Sequence, residues 1–169
     1  LLESAMRRFL SRFIALGCVW MGAAAAQAAT VEVRFIDPGN YADAGRDVRS
    51  REEVQAALSR YLQTLGAQLP GHQLLRIDVL DIDLAGELEP FHRAWPELRV
   101  MRGRTDWPRI TLRYTLLEGG QVIVSAEERV SDMAYLMPSR LSSREGGDAY
   151  GYEKVMLARW FQARFGPSR

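Results

Sequence analysis

The chain has 169 residues, with 22 Lys+Arg against 21 Asp+Glu, a formal net charge of +1 and one cysteine. That length suits one domain with a real core rather than two comfortable ones. A balance this close to neutral offers no electrostatic footprint for nucleic acid, and a lone cysteine excludes a disulfide framework or a thiolate metal cluster.

Met6 is followed by Arg7, Arg8 and Arg12, then by an uncharged, mostly apolar stretch from Phe13 to Ala26 that closes in Ala26-Gln27-Ala28. The order positive, apolar, small-x-small predicts a secretory signal cut after Ala28, with Leu1 to Ala5 upstream of it. The apolar stretch, about 14 residues, falls short of the roughly 20 that a spanning helix needs. The expectation is therefore an exported bacterial protein of the periplasm, with no stable membrane span after cleavage and residues 29–169 as the mature domain. Cys18 lies inside the apolar stretch, and lipidation there would leave Val19 to Ala26 as an apolar new N-terminus. Removing Arg7, Arg8, Arg12 and Glu3 from the totals leaves 19 basic against 20 acidic residues, so the basic pI belongs to the signal. Lys154 is the only lysine, every other cation being arginine.

Thr30 to Ile36 alternates apolar and polar residues and meets Asp37-Pro38-Gly39-Asn40, which predicts a strand closed by a turn. Ser50 and Glu53 have capping-box spacing ahead of Val54, Leu58, Tyr61, Leu62 and Leu65, predicting an amphipathic helix over about 51–65. Leu75, Ile77 and Val79 follow one alternation, Ile82 and Leu84 the other, so a β-bulge is expected near Leu80 or Asp81. From Ala85 to Pro108 no period survives, and a long loop anchored by Phe91, Trp95 and Trp107 is expected. Ile110, Leu112, Tyr114 and Leu116, then Glu118-Gly119-Gly120-Gln121, then Val122, Val124 and Ala126 predict a hairpin. A polar segment from Ser139 to Gly151 leads to a last helix over about 152–165, with Tyr152, Val155, Met156, Trp160 and Phe161 on its apolar face. The order β-α-β-β-β-α, without internal repeats, predicts an α+β two-layer sandwich. Its mixed sheet has about four strands, the first two parallel across a right-handed crossover, and two helices on one face.

Three groups of residues carry candidate chemistry. Arg102, Arg104, Asp106, Trp107 and Arg109, with Trp95 nearby, crowd guanidinium groups and indoles into one loop able to clamp an anion or a partner's carboxylates. The competing use pairs these arginines with Asp81, Asp83, Glu87 and Glu89 and sets Trp107 over the open end of the core. Asp81, Asp83, Glu87 and His92 are dense enough for a metal-dependent or hydrolytic site, but Asp78 joins Asp81 and Asp83 on one strand face only through the bulge. His72 and His92 lack metal-ligand spacing, no Gly-x-Ser-x-Gly elbow surrounds Ser125, Ser131, Ser139, Ser142 or Ser143, and Gly119-Gly120 and Gly146-Gly147 read as turns. No metal or other cofactor is expected.

The run from Asp78 to Pro90, the run from Arg102 to Arg109, Ser131-Asp132-Met133, and Tyr152-Glu153-Lys154 through Trp160-Phe161 together resemble the bacterial domain of unknown function 3016 family, over about Val31 to Phe165. The resemblance implies a signal-bearing periplasmic protein and supplies no catalytic residues. The functional expectation is a non-enzymatic binding or envelope accessory protein, whose partner is an envelope protein or a small anionic ligand met by the Arg/Trp loop. The alternatives are a small metal-dependent or hydrolytic enzyme built on Asp81, Asp83, Glu87 and His92, and a structural assembly component that offers a sheet edge to a partner.

Overall fold

The computed structural model describes residues 29–89, 98–137 and 148–167. The expected first strand forms as β1 (Thr30–Phe35), followed by a 3-10 turn at Pro38–Asn40. Helix α1 (Val48–Gly66) begins three residues ahead of the predicted start. The capping box is real, but its cap is Asp47: the Asp47 carboxylate accepts from the Ser50 backbone N–H at 2.7 Å, and Ser50 Oγ accepts from the Asp47 N–H at 3.1 Å. Ser50 thus serves as the third helical residue, which hands back the hydrogen bond that Glu would otherwise supply. Val54, Leu58, Leu62 and Leu65 are buried along one face of α1, as their spacing requires.

Strand β2 (Gln73–Asp83) pairs parallel with β1, so α1 is the crossover between them. The period-2 phase does change within β2: its register against the neighbouring strand slips between Val79 and Asp81, leaving Leu80 as the extra residue. The expected loop over Ala85 to Pro108 is not structureless throughout, because part of it is strand. Short strands β3 (Glu87–Glu89) and β4 (Leu98–Val100) pair antiparallel into a separate two-stranded ribbon. Strands β5 (Arg109–Glu118) and β6 (Gln121–Ser131) form the predicted hairpin, with Gly119 and Gly120 at φ +57° and +82° in its turn. The chain then reaches α2 (Gly151–Phe165).

The main sheet has the order β1-β2-β5-β6. One of its faces presents Leu75, Ile77, Val79 and Ile82 from β2 and Ile110, Leu112, Tyr114 and Leu116 from β5. These join the apolar faces of both helices, including Met156, Leu157, Trp160 and Phe161 of α2, in one core cluster. The fold is therefore an α+β sandwich of a four-stranded mixed sheet and two helices, with the small ribbon appended. No helix among the described residues is long and apolar enough to cross a membrane.

Candidate functional site

Most of the arginines of the 99–109 segment are already engaged. Arg99, on β4, grips Asp43 with two hydrogen bonds of 2.8 and 3.2 Å and also donates to the carbonyl of Gly86 at 2.9 Å. Arg102 is ion-paired with Glu89, and Arg109 with Asp83. The guanidinium of Arg109 also lies 5.1 Å from the ring centroid of Trp107, a cation–π stack. Trp107 is half-buried and lies outside the core cluster, so it does not close the end of the core; Pro108 beside it is fully buried instead. Arg104 is exposed, and its guanidinium makes no ion pair among the described residues. Trp95, Phe91 and His92 lie outside the described residues.

Asp106 proves to be an internal anchor rather than a contact group. Its carboxylate is buried and accepts from the backbone N–H of Arg102 at 2.5 Å and of Arg104 at 2.9 Å, and from the Tyr135 hydroxyl. Burial pushes the carboxyl up, but these three donors and its own backbone N–H outweigh it and hold Asp106 below the ordinary aspartate range. Tyr135, buried and donating to that carboxylate, is pushed up to about 12, burial being the larger cause. The Asp106 carbonyl in turn accepts from Gly86 N–H at 2.8 Å, tying the loop to the ribbon.

The acidic set is likewise divided. The bulge does bring Asp78, Asp81 and Asp83 to one face of β2, yet Asp78 pairs with Arg34, Asp81 accepts from the Ala42 backbone N–H, and Asp83 belongs to Arg109. Among the described residues no three His, Cys, Asp or Glu side chains come together as a metal site.

What does come together lies beneath the ribbon. A cavity of about 450 Å³ opens between the ribbon side (Leu84, Ala85, Arg99, Met101) and the start of α2 (Asp148 to Glu153). In its wall Glu153 is 2 % exposed. Its carboxylate accepts from Ala85 N–H at 2.7 Å, fastening the first turn of α2 to the turn after β2. Burial pushes the Glu153 carboxyl above the ordinary glutamate range; the Ala85 N–H, its own backbone N–H and the field of Arg99 pull the other way without cancelling that effect. Tyr150, the residue ahead of α2, sits at φ +61° with no side-chain cap, one of two non-glycine residues with positive φ among those described. Such backbone costs on the order of 1–3 kcal/mol and persists only where its surroundings hold it.

A family model for proteins of unknown function, DUF3016, matches residues 29–163. The chain belongs to that family. The resemblance carried by the runs at 78–90, 102–109, 131–133 and 152–161 is thereby borne out, and the DUF3016 match spans both walls of the cavity. No curated protein matches the chain. Two of those runs now acquire separate tasks in this DUF3016 member: 102–109 folds onto Asp106, and 152–161 carries the buried Glu153. Nothing in the sequence singles out Glu153, because a glutamate in a first helical turn ordinarily faces water and complements the helix dipole.

Proposed function

We propose that this protein works outside the cytoplasm as a non-enzymatic binding or envelope accessory protein, and that its ligand occupies the cavity beside Glu153. The signal-like segment ending at Ala28 supports the location. The cavity carries the binding reading: about 450 Å³ lies within the range of small-molecule sites, and apolar walls with a few convergent polar groups are their usual make-up. Charge narrows the ligand class. Arg99 is neutralised by Asp43, Lys154 by Asp148 at 2.5 Å, and the raised Glu153 favours its uncharged form. A site so balanced favours a neutral, partly apolar molecule able to hydrogen-bond a carboxyl group, rather than the anion suggested by the arginine content.

The test uses N-phenyl-1-naphthylamine, a neutral aromatic amine whose fluorescence rises in apolar surroundings. Saturable binding by the purified protein, weakened at least about tenfold (1.4 kcal/mol) by Ala149→Trp, is expected, since Ala149 lines the cavity and is itself exposed. Absence of saturable binding, or equal binding by the variant, would overturn the proposal.

A further inference from the structure

Strand β6 is an edge of the main sheet, eleven residues long, with neither proline nor lysine to blunt it. The Asp132 N–H donates to the Pro108 carbonyl in line with the β5–β6 register. Antiparallel alternation therefore turns the N–H and C=O groups of Ser125, Glu127, Arg129 and Ser131 away from β5, toward the open side. Near the hairpin turn the ladder is disturbed where the register slips between Leu116 and Leu117. The regular, available part of the edge is thus Ser125 to Ser131.

That stretch is self-complementary about one residue. An antiparallel copy with the two-fold axis at Glu127 sets like charges opposite each other, which is destabilising. With the axis at Glu128, Glu127 of each copy faces Arg129 of the other, Ser125 faces Ser131, and Ala126 faces Val130. The two Glu128 residues also fall opposite each other on this axis, but each carboxylate is held within its own subunit by Tyr114 Oη at 3.0 Å, Trp160 Nε1 at 3.1 Å and the Arg164 cation, Nε at 3.0 Å, which offsets its charge. Glu127 already accepts from Arg113 at 2.8 Å. Arg129 is exposed and has no ion-pair partner among the described residues. Facing Arg129 of a second copy, Glu127 completes a ladder of arginine, glutamate, arginine across the seam. The same register brings the exposed Val122 and Ile123 of one copy, 60 % and 56 % accessible, alongside the end of the other that carries Met133, 73 % accessible.

The geometry points to β6 as the seam of a two-fold homodimer, in which two four-stranded sheets join into one of eight strands. Acid and base placed symmetrically about Glu128 on a single strand are what an isologous contact requires, and a foreign strand would not need them. This inference does not rest on the cavity reading.

Sedimentation equilibrium of the purified protein over the micromolar range tests it. The wild-type protein is expected to show a monomer–dimer equilibrium, weakened at least about tenfold by Arg129→Glu, where two attractive pairs become repulsive. The double exchange Glu127→Arg with Arg129→Glu is expected to restore dimerisation. Arg129→Pro removes an outward N–H without touching the β5 ladder, so it is expected to fold and stay monomeric. A wild-type protein that is monomeric throughout, or a dimer indifferent to Arg129→Glu and Arg129→Pro, would overturn the proposal.

Discussion

Replacing Asp106 by alanine separates an anchoring role for the arginine loop from a contact role. The Asp106 carboxylate holds the Arg102 and Arg104 N–H groups and the Tyr135 hydroxyl. Hydrogen bonds to charged groups are each worth about 1.5–3 kcal/mol, but the two loop amides can turn to water once released. Counting the buried Tyr135 donor in full and the amides at about 0.5–1 kcal/mol each gives a loss of about 3 kcal/mol. At 2–4 °C per kcal/mol for a domain of this size, the melting temperature falls by about 6–12 °C. There is also a pH signature. The folded Asp106 carboxyl is held below its ordinary value of 3.8, so its contribution is complete above that pH and disappears as pH falls through the lower folded value. Asp106→Ala should therefore lose stability at neutral pH yet show a shallower acid limb below about pH 4. Urea denaturation followed by fluorescence measures both. A loss under about 1 kcal/mol at pH 7, or an unchanged acid limb, would refute the anchoring assignment. Arg102→Ala with Arg104→Ala provides the contrast: one exposed ion pair is removed, and a change within about 1 kcal/mol is expected.

Glu153 has a raised folded value against an ordinary 4.5, so the folded state keeps a proton that the unfolded chain releases; stability is greatest below 4.5 and declines as pH rises toward the folded value. Glu153→Gln keeps the acceptor for Ala85 N–H and should flatten that decline, the variant gaining on the wild type as pH rises; parallel stability curves between pH 4 and 8 would contradict it. Gly86 has φ +77°, and a Cβ there would lie 2.8 Å from the Val100 carbonyl oxygen across the ribbon, so Gly86→Ala should cost about 2 kcal/mol or more by denaturant titration.

Much of the sheet was legible because alternation survives wherever one face is buried. The β5–β6 hairpin and the bulge at Leu80 follow directly from which side chains meet the core. The ribbon was not legible, because three-residue strands carry no period. Its placement depends instead on contacts distant in sequence: Arg99 on Asp43, and Gly86 N–H on the Asp106 carbonyl. The same distance hid the site. Asp106, set among arginines, reads in the sequence as part of a contact surface, whereas its carboxylate accepts from backbone N–H groups two and four residues earlier, the reverse of the forward hydrogen bond by which an Asp ordinarily signals a turn. Glu153 reads from its helix as a solvated acid; only the arrival of Ala85 and Arg99 from 68 and about 50 residues away in the chain buries it.

Amide chemical-shift mapping of the protein titrated with N-phenyl-1-naphthylamine tests for a ligand in the cavity between the ribbon and α2. Shifts are expected to concentrate at Ala85, Arg99, Met101 and residues 148–153, fading along β1 and the outer face of the sheet. Amides there that stay still while others move, or a protein that gives no shifts at saturating probe, would contradict it.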